Sequence, residues 1–163
     1  MSTDPSPRPR WAVAIVSGGS SLEGGEVAGG LAGWGWPIVL VYLDYQALAE
    51  ATVADIIAGG GTTVAVRADL VDDLDIRRLF TESSAAFGHV DAVVHMTAEN
   101  VVHLYEQAAQ FVREHGVIVS TVSSDPIPPR VAAQLRRRGI AVGRVPAEAV
   151  LAFLDTWRHQ SIG

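Results

Sequence analysis

The sequence of 163 residues contains no cysteine, and all 12 of its basic residues are arginine, so lysine is missing as well. Without thiols there is no disulfide, no thiolate nucleophile and no cysteine-ligated zinc or iron–sulfur centre. Without lysine there is no Walker-type phosphate loop, no Schiff base, no pyridoxal phosphate anchor, and no Tyr-Lys or Ser-Lys catalytic pair. Long apolar runs are also absent, since no stretch approaches the roughly 20 residues of a membrane span. Positive charge is in short supply: 18 acids outnumber the arginines and set the formal charge at -6. A field of that sign does not attract a polyanion, which argues against nucleic acid as a partner. Arg136, Arg137 and Arg138 form the only basic run, at an expected helix end where cations complement the helix dipole.

What is present suits one globular domain, with 48% hydrophobic and 18% charged residues. Residues 1–10, MSTDPSPRPR, lack the apolar segment of a signal peptide and read as a disordered leader. Residues 11–158 read as the domain, 159–163 as a tail, and a cytoplasmic location is expected. From Trp11 onward, short β-branched runs alternate with longer segments of helical period. Strands are expected at 11–17, 37–43, 62–67, 91–96, 116–122 and 140–145, each apolar nearly throughout, as strands covered on both faces are. Helices are expected at 23–34, 45–58, 73–87, 99–114, 129–138 and 147–158. Asp44 is placed to cap the second helix; Gly59, Gly60 and Gly61 to stop it; and Gly88, Gly116 and Gly139 to close later ones. Right-handed crossovers then give an α/β fold: a Rossmann-like, doubly wound parallel sheet of about six strands in three αβα layers.

In such a sheet, ligands bind beyond the carboxyl ends of the strands. The first turn reads Ser17-Gly18-Gly19-Ser20-Ser21-Leu22-Glu23-Gly24. Downstream come Ala68-Asp69-Leu70, Phe87-Gly88-His89-Val90-Asp91, Gly116-Val117-Ile118-Val119 and Arg138-Gly139-Ile140-Ala141-Val142, then Pro146 to Leu151. In this order, across about residues 11–155, these segments resemble the short-chain dehydrogenase/reductase family, whose first turn reads TGxxxGxG. The resemblance implies cofactor contacts at Ser17, Gly18 and Gly24 and an adenine pocket near Asp69 and Leu70. It also assigns Ser123 to the catalytic serine, as a remnant. Asp69 has a second reading, as the cap of the turn into the next helix.

Departures from the family pattern fall on its chemistry. Leu22 stands where the middle glycine of the turn belongs, and a side chain suits close approach to pyrophosphate poorly. Glu23 puts a carboxylate at a helix N-terminus, where it competes with a bound phosphate or else caps its own helix. NAD(P) binding is therefore possible but impaired, and no cofactor is assigned. Tyr42, Leu43 and Asp44, after the second strand, select neither NAD nor NADP clearly. Asn-Asn-Ala-Gly of the family appears as His95-Met96-Thr97-Ala98. The family's tyrosine and lysine positions, 13 and 17 residues after Ser123, hold Arg136 and Ile140.

Other chemistries find weaker footing. Asp91, His95, Glu99 and His103 recur at intervals of four but fall on a strand and a helix, so no metal site is assigned. Ser123 or Ser124 with His95 and Asp125 sketches a hydrolase triad without a GxSxG elbow. Gly25, Gly29 and Gly33, with Ala28 and Ala32 beside them, make one face of the first helix flat, as close packing on its own sheet would require. Helix 99–114 carries an apolar arc of about 180°, through Val101, Val102, Leu104, Tyr105, Ala108, Ala109, Phe111 and Val112. The resemblance implies that this arc meets another subunit, in a homodimer or against a full-length reductase; burial within its own domain is the other reading. The leading expectation is a non-catalytic subunit or dimerising partner of a ketoreductase-type enzyme. An NAD(P)-dependent oxidoreductase with a non-standard site, and a cofactor-free nucleotide-binding domain, are the alternatives.

Overall fold

The computed structural model describes residues 12–96, 102–121 and 126–160. Six strands form one parallel sheet in the order β3-β2-β1-β4-β5-β6. They are β1 (Ala14–Val16), β2 (Ile38–Tyr42), β3 (Thr63–Arg67), β4 (Ala92–His95), β5 (Val117–Ser120) and β6 (Ala141–Arg144). Helices α1 (Leu22–Gly33), α2 (Gln46–Ala58), α3 (Asp73–Phe87), α4 (Val102–Phe111), α5 (Pro129–Arg137) and α6 (Val150–His159) cross between and after them, with a short 3-10 turn at Ala147–Ala149. The order reverses between β1 and β4, which sets the ligand crevice of a doubly wound sheet at their carboxyl ends.

Period-two alternation along the strands sorts the core into two layers. Ile15, Val39, Val41, Val93 and Ile118 pack with Ile76, Leu79 and Phe80 of α3, Leu104, Tyr105 and Ala108 of α4, and Val131 and Leu135 of α5. Ala14, Val16, Ile38, Leu40, Val94 and Val119 pack with Val27, Ala28 and Leu31 of α1, Ala49 and Ile56 of α2, and Leu154 and Trp157 of α6. The buried carboxylate of Asp91 ties the amino edge together. Asp91 Oδ2 accepts the Val13 amide at 3.0 Å and lies 3.0 Å from His89 Nε2, while Arg113 Nη1 lies 3.7 Å from Asp91 Oδ1.

Local chemistry explains most element ends. Asp72 caps α3 by accepting from the amides of Leu74 and Asp75, and Pro129 opens α5 at a position where no amide hydrogen is needed. Gly88 (φ 89°) and Gly139 (φ 68°) take left-handed conformations just past α3 and α5. Two expected caps are corrected. The N-cap of α2 is Tyr45, itself left-handed (φ 58°), and its carbonyl receives the amides of Leu48 and Ala49, so Asp44 stands one residue too early to cap. Gly116 closes no helix, because α4 ends at Phe111 and the left-handed residue is His115 (φ 65°). A Cβ at Gly116 would strike the Asp91 carbonyl and the Val112 side chain, so its role is close approach of the loop to β4.

Candidate functional site at the carboxyl edge

The turn after β1 is built around close backbone crossings. Gly18 has φ 77°, and a Cβ on Gly24 would run into the Gly18 carbonyl. Ser21 locks this crossing: its hydroxyl donates to Gly18 O at 2.8 Å and accepts the Gly24 amide at 3.0 Å. Ser21 is therefore the N-cap of α1, and Glu23, exposed in the first turn, makes no capping bond. The Ser21 carbonyl also takes the Gly25 amide, which leaves the Leu22 and Glu23 amides as the open donors of this helix end. Leu22 is less disruptive than its type suggests. It has ordinary helical backbone at the start of α1, without positive φ, and its side chain is 76% exposed, away from the turn's interior.

Ser17 and His95 form the buried floor where the strand order reverses. Ser17 Oγ accepts the Met96 amide at 2.8 Å and lies 3.2 Å from His95 Nδ1. His95 is paired in register with Ser120, and both are buried. The sequence pattern gave no reason to unite Ser17 with His95; the parallel β1–β4 pairing does so, since equal offsets along both strands end together. His103 diverges from this floor, its Nδ1 lying 3.1 Å from Asp73 Oδ1. Among the described residues, no group of three or more His, Asp or Glu side chains is arranged to hold a metal ion.

Beside the turn, a slot of about 170 Å³ opens over the carboxyl ends of β1, β2 and β3, walled by Gly18, Val41, Tyr42, Tyr45, Ala68 and Leu70, with Leu43, Asp44 and Ser20 at its rim. Apolar walls of this kind suit an adenine ring, and the glycine at its base lets a ligand's backbone lie close. Of the two residues expected here, Leu70 lines the slot. Asp69 instead caps the next turn, its Oδ1 accepting the Val71 amide at 3.1 Å. Asp44 is the one charged side chain on the slot. Ser123, Ser124, Asp125, Thr97, Ala98 and Glu99 lie outside the described residues.

The glycine face of α1 does not pack on the sheet. Gly24, Val27, Ala28 and Leu31 do so, whereas Gly29 and Gly33 have nothing within 4 Å of where a Cβ would stand. These small residues instead line an open groove between α1 and α2. On α4, Leu104, Tyr105, Ala108, Ala109 and Val112 are consumed by the domain's own core, which leaves Phe111, 36% exposed and stacked on Phe80, as the apolar outlet of that helix. Val101 lies outside the described residues, and Val102 is half-buried. Among the described residues, no helix is long and apolar enough to cross a membrane.

No family profile matches the chain. It is 38% identical over 82 residues to a short chain dehydrogenase, claC, of Passalora fulva, covering 50% of this chain and 31% of the relative. Against the 3-oxoacyl-[acyl-carrier-protein] reductase of a Synechocystis species it is 34% identical over 82 residues, covering 50% of this chain and 33% of the relative. The chain thus spans about a third of the length of these curated relatives. Among solved structures, a short-chain dehydrogenase of Oenococcus oeni superposes with a TM-score of 0.73 over 88% of both chains at 16% identity. One from Burkholderia cenocepacia J2315, in complex with NADP, superposes with a TM-score of 0.64 over 83% of this chain and 73% of its own, at 25% identity.

Proposed function

The chain belongs to the short-chain dehydrogenase/reductase family, and from that premise we propose that it is a member without proton-transfer catalysis, acting by association. It serves as a homodimer or as the silent subunit beside an intact reductase of acyl or ketide carbonyls, through the face of α4 that Phe111 leaves apolar.

The observation that carries this reading is where α5 puts the positions of the missing pair. Arg136 sits in the last turn of α5, and Ile140 is buried just before β6. The first residue of β6 pairs with the first of β5. Both positions therefore lie at the amino edge, across the sheet from Ser17 and His95. Reduction of a carbonyl requires a group that passes a proton to the developing alkoxide. No lysine is present to lower the pKa of a phenol, and Tyr42, Tyr45 and Tyr105 all precede β5.

One observation favours a second reading, as a nucleotide-binding domain. The slot beside Gly18 keeps the walls that would hold the adenosine end of a dinucleotide, with Tyr42, Tyr45 and Leu70 around the base and the Leu22 and Glu23 amides toward a phosphate. A bound nicotinamide cofactor would supply hydride. This chain's own residues contribute base packing and two amide donors, and the Glu23 carboxylate opposes the phosphate.

Two experiments separate these readings. Calorimetry with NADH and NADPH is expected to show no binding in the micromolar range, and micromolar affinity for either would argue against a silent subunit. Co-expression with an intact family reductase, followed by size-exclusion chromatography, is expected to give co-elution. Independent elution of both proteins, with this chain strictly monomeric, would remove the association reading.

A further inference from the structure

We propose that the arginine-bearing end of α5 in one copy of this chain docks into the α1–α2 groove of a second copy, giving head-to-tail self-association. The inference rests on surface shape and charge and is independent of any cofactor.

The groove has a volume of about 630 Å³, and its lining includes Gly25, Gly29, Ala32 and Ile56, with Glu26 and Asp55 supplying its negative charge. Its surroundings carry one sign of charge. Residues 12–66 contain five acids (Glu23, Glu26, Asp44, Glu50 and Asp55) and no arginine. The carboxylates of Glu26 and Asp55 make no hydrogen bond or ion pair among the described residues, so the groove presents unneutralised negative charge over a floor of small residues.

The opposite pole is equally one-sided. Residues 126–147 contain five arginines and no acid. Arg130 faces Glu106 at 3.6 Å and Arg138 donates to the Ala109 carbonyl at 2.9 Å, but the guanidinium groups of Arg136 and Arg137, exposed at the end of α5, make no hydrogen bond or ion pair among the described residues. Helix α5 lies on the sheet face opposite α1 and α2, near the β5–β6 end, so the two poles cannot meet within one chain.

Dimensions agree with charge. Nine residues make α5 about 14 Å long against about 18 Å for the 12-residue α1. A glycine-lined helix admits a neighbour at the short end of the usual 8–10 Å interaxial range, and guanidinium forks pair well with carboxylates in such partly shielded settings. Because the two surfaces differ, the contact is heterologous and propagates into rings or filaments rather than stopping at a symmetric pair.

Sedimentation velocity on the purified chain tests this. Sedimentation coefficients are expected to rise with protein concentration at low salt. Raising salt from about 0.05 M to about 0.5 M cuts the Debye length to roughly a third and is expected to weaken association about tenfold. The charge reversals E26R/D55R and R136E/R137E should each lose the salt-sensitive growth alone, keeping at most a salt-insensitive dimer through α4, and an equimolar mixture of the two should grow again. Gly29→Leu, which fills the groove without touching charge, should lose the same growth while keeping the parent's circular dichroism and a melting temperature no lower than the parent's. A chain that stays monomeric or strictly dimeric at every concentration in low salt would overturn the proposal. So would salt-sensitive growth beyond a dimer that survives either charge reversal or the Gly29→Leu change.

Discussion

Alanine at Gly24 and alanine at Gly29 are expected to move stability in opposite directions, although both replace interior glycines of the same helix. Each substitution gains about 1 kcal/mol in helix propensity. At Gly29 nothing lies within 4 Å of the added methyl, so the gain stands unopposed and is expected to raise Tm by about 2–4 °C for a domain of this size. At Gly24 the methyl meets the Gly18 carbonyl, whose carbon stands 2.7 Å from the ideal Cβ, and Ser21 holds both sides of the crossing. Overpacking of this kind costs about 1–3 kcal/mol, and disturbing the Ser21 cap about 1 kcal/mol more. Subtracting the propensity gain leaves a net loss of about 1–3 kcal/mol. Urea unfolding at unchanged m-value measures both shifts. If Gly24→Ala is as stable as the parent, the turn and helix do not cross as described. If Gly29→Ala is less stable, the α1 face is not open.

Four other changes probe separate regions. Asp91→Ala leaves the buried Val13 amide without its acceptor and should cost about 1–3 kcal/mol in urea unfolding. A Cβ at Gly143 would enter the Phe153 ring, so Gly143→Ala should destabilise, and Phe153→Ala in the same chain should recover part of that loss as coupling in a double-mutant cycle. Tyr45→Asn relieves a left-handed tyrosine and adds a side-chain cap to α2, for a gain of about 1 kcal/mol, while stripping one wall from the adenine-sized slot. Glu23→Gln removes a carboxylate from the α1 N-terminus and should tighten ADP, followed by NMR titration, about two- to fivefold.

The fold was legible because its signals are local and repeated. The inner strands β1, β2, β4 and β5 are short β-branched runs buried nearly throughout, whereas the edge strands β3 and β6, expected to be covered likewise, leave Val64 and Val142 exposed because no strand or helix flanks them on the outside; Gly88 and Gly139 mark helix ends by supplying positive φ. The six-strand parallel order follows from alternation plus right-handed crossover. The candidate site was legible only in part. Gly18 and Gly24 announce a tight turn, but the mutual lock through Ser21 depends on a serine that any helix start might carry. Ser17 meets His95 through strand pairing 78 residues apart, which no local pattern encodes. The flat face of α1 was visible in the glycine spacing, yet its direction was not. Which side of a helix meets the sheet is settled by Val27 and Leu31, and these turn Gly29 and Gly33 outward.

The same locality governs which positions the fold can spare. The buried residues of α5 are Val131 and Leu135, one turn apart, so nine residues suffice to seat that helix in the core it shares with α4 and β5. A helix as short as α5 therefore suffices for packing, whereas Gly24, Asp91 or Gly143 admits no comparable change. At the other end of α5, Arg138 is half-buried and donates to the Ala109 carbonyl, whereas Arg136 and Arg137 are exposed and are the cations this helix leaves open to another molecule.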